Sequence, residues 1–171
     1  MRLVEEETTI KLYEGNHEDS ILLFQWWMDL VESGDMDLIL FPATQPLGPF
    51  MSYFQTGKVR LVYSTDPSNR IQAAFWGEPI APGIIFLSVW GRKSLRFTKQ
   101  GVQILLDVYK QVFSLFHIIF GITKQERLLK VHKKLGYKII GKLPQLWGGV
   151  EEGWLVMLTR EDFFAACGKD L

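Results

Sequence analysis

One cysteine, Cys167, stands in the 171 residues, so the chain forms no intramolecular disulfide and no cysteine cage for a metal. A reducing interior is the expected setting. The 3 histidines, His17, His117 and His132, are scattered with no second ligand at a diagnostic spacing, and metal binding is set aside. No apolar run reaches the ~18 residues of a membrane span. The opening MRLVEEETTI is acidic where a secretory signal is basic and then apolar, so a soluble, cytoplasmic protein is expected. Charge of either sign is not in excess: 19 Lys and Arg balance 19 Asp and Glu, and the total predicts no pull toward nucleic acid or an anionic membrane. The chain also lacks a G-x-S-x-G nucleophile turn, an internal repeat and any low-complexity tract.

What is present suits a folded protein. Hydrophobic residues make up 47% and charged residues 22%, and the length fits a single domain over 1–171 with one sizeable core. The charges are unevenly placed. Glu5, Glu6, Glu7, Glu14, Glu18 and Asp19 crowd the start, whereas Arg92, Lys93, Arg96 and Lys99 cluster mid-chain and Lys124, Arg127, Lys130, Lys133 and Lys134 follow. Such runs form a solvated face or a binding surface.

The stretch from Gly83 to Gly141 reads strand, loop, helix, strand, helix, strand. Val102, Leu105, Leu106, Tyr109, Val112, Phe113 and Phe116 have the spacing of one buried helical stripe. Thr123 three residues before Glu126 suggests a capping box for the second helix, and Gly136 its left-handed end. The run Ile84 to Trp90 is almost continuously apolar, as a central strand covered on both faces would be.

Upstream, Thr8 to Tyr13 alternates as a strand. A helix follows, capped by Asp19 or Ser20, with Ile21, Leu22, Phe24, Trp27, Met28 and Val31 as its apolar face and Gly34 near its end. Adjacent Trp26 and Trp27 cannot share one seam, so one of them covers a second surface. The proline-rich stretch Asp37 to Gly57 reads as a loop, in which Phe50, Met51, Tyr53 and Phe54 offer a short aromatic turn or helix that serves as an aromatic lid or a core seal. Lys58 to Ser64 and Arg70 to Trp76 pair as a hairpin across TDPSN, and GEPIAPG turns the chain again. Downstream, Tyr137 to Leu143 and Gly153 to Leu158 are strands, and Thr159 caps a short last helix.

This order of elements resembles the GCN5-related N-acetyltransferase (GNAT) superfamily across nearly the whole chain. The closest local match is Gln125 to Gly141, where Gln125, Leu128, His132 and Gly136-Tyr137 occupy the positions of the family's Asn, Ala, Tyr and Gly-Phe. The family's phosphate loop is Gln/Arg-x-x-Gly-x-Gly/Ala; GRKSLRFTKQG stands here, with Leu95 and Phe97 at the glycine positions. The resemblance implies an α/β fold: a mixed, largely antiparallel central sheet, helices on both faces and a splayed central strand pair. It also implies acetyl-CoA or another acyl-CoA as co-substrate and transfer of its acyl group to a small-molecule or protein amine. Leu87, Val89, Arg92, Lys93, Arg96, Thr98 and Gln125 would hold the coenzyme between the strands Ile84–Trp90 and Leu115–Ile122. His132 would be the acid that protonates the thiolate, and Glu78, the one carboxylate on the acceptor side, the base. The alternative is a catalytically degenerate protein of this fold that acts by protein binding or self-association, as in bacteriophage virion or head assembly. The loop without its glycines and the 6 tryptophans point that way.

Overall fold

In the computed structural model, which describes residues 10–36, 42–146 and 151–167, seven strands form one sheet. They are β1 (Ile10–Leu12), β2 (Arg60–Thr65), β3 (Ile71–Ala81), β4 (Ile84–Gly91), β5 (Ile118–Thr123), β6 (Lys138–Leu146) and β7 (Glu151–Thr159), in spatial order β1-β2-β3-β4-β5-β7-β6. Every pairing is antiparallel except β4 with β5. The helices are α1 (His17–Ser33), α2 (Leu47–Gln55), α3 (Lys99–Leu115), α4 (Glu126–Lys134) and α5 (Arg160–Cys167). The mixed sheet with helices on both faces is therefore present. Among the described residues no helix is long and apolar enough to cross a membrane.

Two helical layers make two cores. On one face α1 and α2 lay Leu23, Trp26, Leu30, Phe50 and Phe54 on Leu61, Tyr63, Ala74, Trp76 and Trp90. Alternation along the strands puts the neighbours Phe75, Ile85 and Leu87 on the other face, under α3, α4 and α5. There Tyr109, Phe113, Tyr137, Val156, Leu158 and Phe163 close the core. Burial of α3 follows a line through Ile104, Val108, Tyr109 and Phe113, and Val102, expected in the stripe, is exposed. The two lines overlap on a helix, and packing on the sheet selects the buried one.

The face of α1 is the larger correction. Leu22, Leu23, Trp26 and Leu30 are buried, while Ile21, Phe24, Met28 and Val31 point outward at 41–52% exposure. Both sides of this helix are apolar, so periodicity alone could not say which one meets the sheet. Trp27 is half-buried and donates its indole N–H to the Gln45 carbonyl at 2.8 Å, so the two tryptophans do divide between two surfaces.

Several boundaries also move. Asn16, not Asp19 or Ser20, caps α1, its side chain accepting from the Asp19 amide at 2.8 Å. The expected capping box of α4 is absent: Thr123 belongs to β5, and Gln125 precedes the helix without a side-chain cap bond. The helix does stop at Gly136, whose φ of 92° a side chain would resist. Thr159 caps α5 as expected, accepting from the Asp162 amide at 3.1 Å. Residues 77–81, expected as a turn, extend β3, and the chain reverses only after Ala81. Leu115 ends α3, so the strand expected from Leu115 begins at Ile118. The aromatic segment forms a full helix, α2, because Pro49 sits in its first turn, where no amide is needed. The expected first strand begins at Thr8, but residues 8 and 9 lie outside the described residues, as do 37–41 of the expected loop.

Candidate active site

At the centre of the sheet two neighbouring strands run parallel and then part. The β4–β5 ladder joins Ile84, Ile85 and Phe86 to Ile118, Ile119 and Phe120, yet β4 continues to Gly91 and β5 to Thr123. Hydrogen-bonded pairs alternate along an antiparallel ladder. Because the Arg92 amide donates to the Gln72 carbonyl at 2.9 Å, Trp90 and Ser88 direct their amides to β3 while Val89 and Gly91 turn theirs toward β5. Past Phe86 the ladder to β5 ends, with the Leu87 carbonyl still beside Gly121, and this is where the wedge between the strands begins. Leu87 is buried on its α3 side and Val89 is 39% exposed.

The loop Gly91–Thr98 and the start of α3 stand at the wedge mouth. Thr98 caps α3: its hydroxyl accepts from the Gly101 amide at 3.0 Å and donates to the Leu95 carbonyl at 2.7 Å. The loop turns back so tightly that a Cβ on Gly101 would lie 2.3 Å from the Leu95 carbonyl oxygen. The glycine missing at positions 95 and 97 is thus met four residues after Phe97, inside the helix. Leu95 is buried, and Phe97 takes a left-handed φ of 64° with its ring 70% exposed, a conformation that costs a non-glycine residue about 1–2 kcal/mol.

The arginines of this loop are held by the end of α1. Arg92 donates to the Ile71 carbonyl at 2.9 Å and pairs with Asp29, which also pairs with Arg70. Arg96 donates to the Gly91 carbonyl and lies 2.6 Å from Asp35, which accepts from the Trp90 indole at 3.0 Å as well. Both aspartates are buried. An open cleft of about 400 Å³ lies beside them, lined by Asp29, Glu32, Asp35, Arg70, Arg92 and Lys93. Lys93 is exposed and in no ion pair among the described residues.

The expected acid and base lie on opposite faces of the sheet. His132 is half-buried near the end of α4, with its ring 5.0 Å from that of Tyr137. Burial pulls its pKa below the ordinary imidazole value, which the nearby Leu128 carbonyl opposes, and Nδ1 is buried without a hydrogen bond. Tyr137 shares a 2.9 Å hydroxyl contact with Tyr109, whose phenol burial pushes up to about 12. Gln125 sits just before α4, its Oε1 accepting from Arg127 at 2.8 Å. Glu78 of β3 lies on the α2 side and accepts a short hydrogen bond from the Tyr53 hydroxyl. Burial, and then the Glu78 carboxylate, push that phenol's pKa well up, so Tyr53 stays a donor.

The same architecture occurs in solved acetyltransferases. The aminoglycoside N(6')acetyltransferase from Legionella pneumophila superposes with a TM-score of 0.70 at 17% identity, covering 94% of this chain and 98% of that one. The chain has the GNAT fold. A GNAT superfamily phosphinothricin acetyltransferase (Pat) from Sinorhizobium meliloti, in complex with AcCoA, matches with a TM-score of 0.62 at 11% identity over 88% of each chain. Spermidine N-acetyltransferase from Vibrio cholerae, in complex with CoA and spermine, matches with a TM-score of 0.65 at 9% identity, covering 91% of this chain and 98% of that one. No family model matches the sequence, and no curated protein matches it either. Three features of this GNAT-fold site carried no local signal: Tyr53 as partner of Glu78, and Asp29 and Asp35 as partners of the loop. Each joins residues at least 25 positions apart. Gly101 was visible only as a glycine in a helix.

Proposed function

We propose that this chain binds an acyl-CoA, acetyl-CoA in the simplest case, in the β4–β5 wedge and passes the acyl group to an amine in the cytoplasm. The observation that carries the reading is the wedge itself. Among the described residues the Val89 amide has no strand partner and turns into it, and the start of α3 stands at its mouth, where amides and helix dipole suit a diphosphate. Leu87 and Val89 flank the pantetheine. Lys93 and the amides around Thr98 meet the phosphates, with Arg92 and Arg96 holding the loop in place, and Gln125 borders the coenzyme from the α4 side.

The chemistry balances without an oxidant. Glu78 takes one proton from the ammonium, and the free amine attacks the thioester carbon while the Val89 amide stabilises the oxygen. The C–N bond forms and the C–S bond breaks. His132, kept neutral by burial, takes the second proton from nitrogen and delivers it to the departing thiolate. Titration with acetyl-CoA tests the reading. At 100 times its dissociation constant the ligand should stabilise the fold by about 2.7 kcal/mol, an upshift of several degrees. No shift at millimolar acetyl-CoA would overturn it.

Of the five rings that an assembly protein could expose, Trp26, Phe50 and Phe54 are buried in the core, while Trp27 and Tyr53 are half-buried. One observation still favours protein association: the outward stripe Ile21, Phe24, Met28 and Val31 on α1. Sedimentation separates the readings. A dimer or a co-purifying partner that Met28→Glu removes supports association; a monomer that binds acetyl-CoA does not.

A further inference from the structure

The acceptor side carries an apolar shelf with one carboxylate at its end. Register sets four side chains in a row across the sheet: Glu78 opposite Phe86, Phe86 opposite Phe120, and Phe120 opposite Met157. At about 4.8 Å per strand the row runs some 14 Å, and its middle lies at the point where β4 and β5 part. All four are half-buried. Among the described residues the core under α1 and α2 takes its strand residues from β2, β3 and β4 and stops there, so those residues roof the shelf only in part. Tyr53 fixes Glu78 through one carboxylate oxygen, and no Lys or Arg pairs with it among the described residues.

The other buried carboxylates on this side are already committed. Asp19 accepts from the Tyr63 hydroxyl at 2.6 Å and from the Glu14 amide at 2.7 Å, and Asp29 and Asp35 hold Arg70, Arg92 and Arg96. A charge taken out of water needs its own counter-charge, so this surface accommodates one ammonium and not several. Beyond Glu78 it offers ring faces and a thioether, which suit an apolar body.

Resting on the acyl-transfer reading, we propose that the acceptor is a monoamine with an aromatic or bulky apolar body, an arylalkylamine, and not a polycation such as an aminoglycoside or a polyamine. Its ammonium meets Glu78 beside the wedge, and its body lies over Phe86 and Phe120 toward Met157.

Calorimetric titration of the full chain with 2-phenylethylamine, spermidine and kanamycin, without coenzyme, tests the site independently of transfer. 2-Phenylethylamine should bind at least tenfold more tightly than either polycation, and with acetyl-CoA present its kcat/KM should lead by a similar factor. Glu78→Gln and Phe120→Thr should each weaken the monoamine at least tenfold while leaving acetyl-CoA affinity unchanged, which also shows that both variants fold. Tighter binding of spermidine or kanamycin overturns the proposal and leaves acyl transfer standing. Failure to bind acetyl-CoA overturns the acyl-transfer reading, while Glu78-dependent monoamine binding would still support the site. Binding of no amine overturns the proposal, as does a dimer in solution that Met157→Lys dissociates, because a second copy would then occupy the shelf.

Discussion

Asp29 and Asp35 on one side of the site, and Glu78 on the other, show how differently the same chemistry is used in two regions of one sheet face. The two aspartates are buried and hold three arginines, so this charged cluster is a brace between α1 and the loop. Glu78 sits among aromatic side chains and, among the described residues, has only a tyrosine hydroxyl for partner. Here paired charge marks where the fold is held. Availability marks where a ligand can bind.

The largest effect expected from breaking this contrast is at Glu78. Glu78→Gln should lower acyl-transfer kcat/KM by ~10²–10⁴ in a steady-state assay, with a melting temperature close to that of the parent. The second effect falls on the brace and appears as stability. Arg96→Ala leaves Asp35 buried with only the Trp90 indole and should cost about 3 kcal/mol in denaturant unfolding, the low end for a broken buried pair because Arg96 is 29% exposed. Lys93→Ala should do the reverse: no change in stability, and acetyl-CoA binding about tenfold weaker by calorimetry. Equal loss of coenzyme affinity in the two variants would erase the distinction between brace and contact.

Gly101→Ala should rank third. Its Cβ would meet the Leu95 backbone carbonyl, and the displacement should cost about 2 kcal/mol, within the range for overpacking and despite alanine's better helix propensity. Coenzyme affinity should fall with it, since the same turn presents the loop. The smallest effect concerns pH. Burial holds the folded-state pKa of His132 below its unfolded value near ~6.5, so the unfolded chain takes up the proton first. The stability contributed by the neutral ring is complete above that value and is lost as pH falls through the folded pKa. His132→Phe should flatten this acid-side decline in melting temperature, while transfer activity falls if His132 moves the proton.

Much of the fold was legible because its signals are local. The continuous apolar run of β4, the glycine ending α4 and the threonine capping α5 each depend on a few neighbouring residues. The boundaries that moved involve competition between local signals and tertiary fit. Residues 77–81 look like a turn, yet they pair with β4, and a helix follows Pro46 despite the prolines around it. Of the candidate site, His132 entered from the family resemblance and Glu78 from its position after the strand ending in Trp76, whereas Tyr53, Asp29 and Asp35 carried no signal.

By itself the sequence determined most of the helical and strand segments, since periodicity, caps and turn residues act over distances of a few residues, although residues 77–81 read as a turn and became strand. It also determined that α1 is apolar on two sides. Only the tertiary structure decided which side of α1 faces the sheet, which loop charges are neutralised by Asp29 and Asp35, and which carboxylate remains open. Those outcomes depend on residues brought together from 25 to 63 positions apart, where burial and Coulomb energy act through space with no trace in local pattern.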